Sequence, residues 1–95
     1  MNHSLVVTAE AEAEIEQAEE WYLRQSERAA ARFRETIDVA LETISFNPEQ
    51  YQIVYRDTRR VMLDDYPYAL FYTVAGTQVT VISCFHMARD PKLWR

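Results

Sequence analysis

The run Ala69-Leu70-Phe71-Tyr72-Thr73-Val74-Ala75-Gly76-Thr77-Gln78-Val79-Thr80-Val81-Ile82-Ser83-Cys84-Phe85 decides the fold. Residues 69–74 are dense in aromatic and branched side chains, the composition of a strand. Ala75-Gly76-Thr77 reads as a hairpin turn built on the single glycine of the chain. Residues 78–85 alternate through Val79, Val81 and Phe85, which predicts a second strand antiparallel to the first. Strict alternation places Phe71 on one sheet face and Leu70, Tyr72 and Val74 on the other. On the second strand it sets Ile82 and Cys84 against Val79, Val81 and Phe85. Both faces of this hairpin therefore carry apolar side chains, and each needs a cover.

Upstream, the periodicity supplies one cover. Ala11, Ile15, Ala18 and Tyr22 recur at steps of four, three and four, a single helical stripe. Thr8 is placed to cap that helix, and Glu10, Glu12 and Glu14 fall early in it, where the helix dipole favours anions. After a break at Gln25-Ser26, Ser26 caps a second helix with the stripe Ala29, Ala30, Phe33, Ile37, Ala40 and Ile44. Asn47-Pro48 ends it. The two make an αα-hairpin. Ser4–Val7 reads as a strand before the helices, and Arg60–Leu63 as a strand after them, followed by a turn at Tyr66-Pro67-Tyr68. The expected order is β-α-α-β-β-β, an α+β fold with a helical hairpin packed on a small antiparallel sheet. Leu93 and Trp94 of the tail, or a partner, would cover the second sheet face.

A chain of 95 residues and 48% apolar composition is expected to form one domain over 1–95. One glycine cannot build a P-loop, a dinucleotide fingerprint or a nucleophile elbow. Cys84 is the single cysteine, which excludes an internal disulfide and a cysteine-cluster zinc site. Two histidines, His3 and His86, cannot supply a three-histidine centre. No cofactor and no metal are expected. The net charge is -5, and it is unevenly spread. Residues 1–55 hold four bases and eleven acids, net -7, whereas residues 56–95 hold six bases and four acids, net +2. Nucleic-acid binding needs a clustered positive field, so direct binding is not expected. No apolar run approaches the length of a membrane span, and no signal peptide is visible, so a cytoplasmic protein is the expectation.

Few side chains have the makings of chemistry. His86, at the end of the last strand, is a candidate general base if Asp90 orients it; the plainer reading is a hydrogen-bonded strand end that holds the tail. Arg59, Arg60 and Arg89 are forks for phosphate or carboxylate, or partners of Asp57, Asp64, Asp65 and Asp90. Asp64 and Asp65 are adjacent on an extended chain and point apart, which disfavours a shared ion.

The ordered segments resemble a known family. Thr8-Ala9-Glu10-Ala11, Trp21-Tyr22, Arg32-Phe33, Asn47-Pro48, Arg59-Arg60, Tyr66-Pro67-Tyr68 with Phe71-Tyr72, and His86-x-x-Arg89-Asp90-Pro91-x-x-Trp94 are similar to the ParE branch of the RelE/ParE toxins of bacterial type II toxin–antitoxin systems, which include plasmid stabilisation proteins. The likeness runs from about Leu5 to Trp94. It implies a toxin that arrests growth by inhibiting DNA gyrase and is neutralised by a cognate antitoxin, expected to be of ribbon-helix-helix type with an amphipathic tail. Two alternatives are a RelE-like, metal-independent mRNA endoribonuclease acting on the ribosome, using His86, Arg59 and Arg89, and a non-toxic antitoxin-binding remnant. RelE-like sites use sheet lysines and arginines and often a C-terminal tyrosine. This chain has Lys92 as its sole lysine and Trp94 near its end. It also departs from the family at Ala88, where a second arginine is common, and at Asp64-Asp65, where basic residues are frequent. The expected target-binding residues are Arg89, Lys92, Trp94 and Arg95, and the expected antitoxin-binding residues are Arg59, Arg60, Leu70 and Tyr72.

Overall fold

The computed structural model describes residues 3–88. The elements are β1 (Ser4–Val7), α1 (Ala9–Leu23), α2 (Glu27–Phe46), a single 3-10 turn (Pro48–Gln50), β2 (Ile53–Tyr55), β3 (Thr58–Met62), β4 (Tyr68–Ala75) and β5 (Gln78–His86). The strands form one sheet in the order β1-β5-β4-β3-β2, with the helical hairpin on one face. The α+β reading holds, with two differences. The sheet has a fifth strand, β2, and it is mixed, because β1 runs parallel to β5. The helices supply the long connection that a parallel neighbour requires.

The caps form as the sequence dictates. The Thr8 hydroxyl accepts from the Ala11 N–H at 3.1 Å, and the Ser26 hydroxyl from the Ala29 N–H at 2.9 Å. The buried stripe of α1 is Ala11, Ile15 and Ala18, and that of α2 is Ala30, Phe33, Ile37 and Ile44. Phe33 is fully buried. Its ring stacks on Tyr22 at 4.9 Å and meets Tyr66 and Tyr68 edge-on at 5.1 and 5.6 Å. That cluster ties both helices to the turn between β3 and β4. Across the outer surface of the hairpin, Arg34 reaches Glu12, Glu19 and Asp38 at 3.6–3.9 Å. These partly exposed pairs contribute little each.

The register of β4 with β5 slips between Phe71 and Tyr72: Phe71 faces Ser83, but Tyr72 faces Val81. Ile82 is the extra residue of a β-bulge, and the bulge reverses the phase of β5. Cys84 thereby joins Val79 and Val81 in the helix-facing core, and Phe85 leaves it. The strict alternation read from the sequence is thus corrected at one residue. Leu70 and Tyr72 lie in the same core, whereas Ala69 and Phe71 are fully buried outside it. The second face is therefore apolar as expected; the proposed plug, Leu93 and Trp94, lies outside the described residues. The hairpin turn forms at Gly76, whose φ of 60° is the left-handed value that favours glycine.

Truncating Phe33 to alanine is expected to lower the unfolding free energy by about 3–5 kcal/mol. Urea denaturation followed by far-UV circular dichroism measures it, and a loss below about 1 kcal/mol, the surface value, would contradict the packing described.

Candidate functional site

Beyond Val81 the outer edge of β5 has no strand beside it, since β1 ends at Val7. Glu14 of α1 takes that place. One of its carboxylate oxygens accepts from the Cys84 N–H at 2.9 Å and from the Ser83 hydroxyl at 3.0 Å. A small cavity of about 140 Å³ lies here, bordered by Glu14, Gln17, Tyr68, Cys84 and His86. It gathers a carboxylate, a thiol, a phenol and an imidazole, the raw material of catalysis, but each is already committed. Glu14 satisfies the strand edge. Burial, with Glu14 adding to it, pushes the Cys84 thiol up to about 12, so the thiolate is suppressed at neutral pH. The His86 ring meets Tyr68 edge-on at 4.9 Å, and its Nδ1 accepts from the Ala88 N–H at 3.2 Å. Asp90, the carboxylate expected to orient His86, lies outside the described residues.

The arginines are divided between two tasks. The Arg59 guanidinium donates to the carbonyls of Tyr51 at 2.6 Å and Glu49 at 3.2 Å, clamping the segment between α2 and β2. Tyr72 supports the same segment by donating its hydroxyl to the Pro48 carbonyl. Burial raises the Tyr72 hydroxyl to about 12; Arg59 works against that rise and Tyr51 adds to it. Arg60 is half-buried, stands opposite Phe71, and has no ion pair among the described residues.

The structure does not bring Arg59 and His86 together. Arg59 is level with Tyr72 and, through it, with Val81. His86 lies five residues further along β5, about 16 Å at a strand's rise per residue. Leu70 and Tyr72, expected to meet an antitoxin, are fully buried in the core and present no surface. Inward alternation on an apolar strand looks the same in sequence whether a face meets the chain's own helices or a partner. Arg89, Lys92, Trp94 and Arg95 lie outside the described residues.

Among the described residues, a surface with room for a partner lies elsewhere. A groove of about 530 Å³ runs between α2 and β3. Val39 and Ala40 form its helix side and Val61 and Leu63 its sheet side, with Tyr51 also lining it. Val39 is about half exposed, at 57%. The sequence reading missed this groove because Val39 falls off the buried stripe of α2 and reads as a solitary exposed apolar residue. Val39 and Thr43, four apart, were its helical-spacing signal.

Comparison with known proteins supplies the class. Residues 5–91 match the family described as the ParE toxin of type II toxin–antitoxin systems, parDE. The chain belongs to the ParE toxin family. Among solved structures, it is similar to a chain of the chromosomal ParDE toxin–antitoxin system from P. aeruginosa, with a TM-score of 0.77 and 17% identity, covering 88% of this chain and 95% of that one. At that identity the likeness speaks for the fold, and the fold is the one described here. No curated protein matches the sequence. Among the described residues no helix of this ParE-family chain is long and apolar enough to cross a membrane, and no group of three or more histidine, cysteine, aspartate or glutamate side chains is placed to hold a metal ion.

Cys84 and Tyr72 make stability sensitive to alkali. Both are neutral when protonated, and both bind their protons more tightly in the folded chain than in the unfolded one. Their contribution is complete below the unfolded values, about 8.5 for the thiol and 10 for the phenol. It is lost as pH rises toward 12, at up to about 1.4 kcal/mol per pH unit for each group. Urea unfolding from pH 7 to 11 should show the decline beginning near pH 9, and in Cys84→Ala beginning about one unit higher. Unchanged wild-type stability to pH 11 would contradict the burial of both groups.

Proposed function

We propose that this ParE-family chain arrests growth by binding DNA gyrase, without catalysing a reaction of its own, and that a cognate antitoxin holds it inactive. The observation that carries the binding reading is the separation of Arg59 from His86. A metal-free ribonuclease needs a base, a cation for the phosphorane and an acid within reach of one phosphate. Here Arg59 is spent on two backbone carbonyls, and His86 lies some 16 Å along the sheet from it. A gyrase target also makes the protein cytoplasmic.

The target-binding residues are proposed to be Arg89, Lys92, Trp94 and Arg95. A tryptophan among cations is the usual composition of an interface hot spot. The antitoxin, proposed to be of ribbon-helix-helix type, is assigned the groove between α2 and β3 for its amphipathic tail, in place of Leu70 and Tyr72. Arg60 stands opposite Phe71 and does not line that groove; it is retained as a separate antitoxin contact because it has no ion pair among the described residues. An amphipathic segment in an apolar groove is a common recognition mode.

Induction of the chain without antitoxin is expected to stop growth and to leave chromosomal breaks covalently joined to gyrase. Trp94→Ala should relieve the arrest, and His86→Ala, in a protein of unchanged stability, should not. Arrest that vanishes in His86→Ala, with cleaved mRNA in the wild type, would favour the nuclease. Normal growth on induction of a folded protein would favour a non-toxic antitoxin-binding remnant.

A further inference from the structure

The groove between α2 and β3 has an apolar floor and an acidic rim. Glu35 stands on its helix side, and Asp64 and Asp65 stand where β3 passes into the turn before β4. No lysine or arginine lines it. Among the described residues none of the three carboxylates takes part in an ion pair or a side-chain hydrogen bond, in contrast to Asp38 one turn away, which pairs with Arg34. The backbone holds part of this rim firmly: Asp65 has a φ of 66°, and the Leu63 N–H donates to the Tyr68 carbonyl at 2.9 Å to close the turn. The nearby arginines are turned to other work, Arg59 to the carbonyls of Glu49 and Tyr51 and Arg34 to the hairpin.

We infer that the α2–β3 groove takes an amphipathic partner segment with two or three apolar anchors flanked by lysine or arginine, so that the antitoxin's toxin-binding tail is cationic at this site. The assignment rests on the antitoxin reading above and adds the sign of the charge. Charge complementarity selects the occupant. An acidic tail would bring its carboxylates against Glu35, Asp64 and Asp65, and like-charge juxtaposition at an interface is strongly disfavoured. A cationic tail finds three unpartnered carboxylates around a floor that buries its anchors. The half-exposed Val39 is the wall side chain such anchors would cover, above a floor of Val61 and Leu63, whereas Met62, opposite Ala69, turns its side chain to the other sheet face. The groove-lining part of α2 runs from Glu35 to Thr43, about two helical turns, which sets the number of anchors at two or three.

The test uses the full chain and two synthetic 18-residue peptides with leucines at i, i+3 and i+7. One carries lysine and the other glutamate at the flanking positions. Fluorescence anisotropy at low and moderate salt measures binding, and NMR methyl shifts of Val39 and Leu63 locate it. The lysine peptide is expected to bind at least about tenfold more tightly at low salt, to lose that margin as salt screens the rim, and to shift both methyls. Charge reversal of the rim, Asp64→Lys with Asp65→Lys, should invert the preference. Val39→Trp, which fills the groove from an exposed position, should weaken both peptides while leaving the fold intact. Equal affinities, a preference for the glutamate peptide, binding of neither, or shifts confined to another face would overturn the assignment. So would concentration-dependent self-association of the free chain that Val39→Trp abolishes, because the groove would then be the seat of a second copy. The toxin reading fails separately: peptide binding as described, together with normal growth on induction, keeps the groove and removes the toxin.

Discussion

Phe33 is the joint on which the two layers depend. Its ring touches Tyr22 on the other helix and Tyr66 and Tyr68 at the foot of β4, so one side chain fixes the hairpin's own angle and its seat on the sheet. Aromatic pairs of this kind add to the area they bury, because edge-on and offset contacts are individually favourable. With the hairpin seated there, α1 lies along β5 and its Glu14 serves as the missing neighbour of that strand's outer edge. The far side of α2 is left facing β3 across open space. The groove is thus a consequence of where the hairpin is pinned.

The electrostatic pattern follows from how the few cations are used. The first 55 residues carry a net charge of -7. Of the arginines among the described residues, Arg34 gathers three carboxylates on the hairpin and Arg59 is consumed by carbonyls. Among the described residues no cation lines the groove, and its charged groups are acids.

Much of the fold was legible because its signals are local. Thr8 and Ser26 sit one residue before their helices and cap them, the stripes of α1 and α2 carry helical spacing, and Gly76 marks its turn by being the chain's single glycine. The misses have physical causes. β2 is three residues long and turns through Arg56 at a φ of 53°, without the asparagine or glycine that announces such a turn. The parallel pairing of β1 is set by where the helices deliver the chain, which no local pattern records. The bulge at Ile82 inverts a phase that alternation alone extends unbroken. For the site, Leu70 and Tyr72 were read as antitoxin contacts, whereas both are fully buried in the fold, and Arg59 was read for its charge when its hydrogen bonds to backbone carbonyls occupy it. Glu14 hid among the glutamates of α1 because its partner is seventy residues away.

The central claim is that this ParE-family chain acts as a binding protein on gyrase. The most direct measurement puts the purified chain, without other cellular components, into a gyrase supercoiling reaction on relaxed plasmid. The account predicts that supercoiling stops and linear plasmid accumulates in proportion to the chain added, while ribosome-bound mRNA incubated with the same preparation stays whole. Unimpaired supercoiling with cleaved mRNA would contradict it.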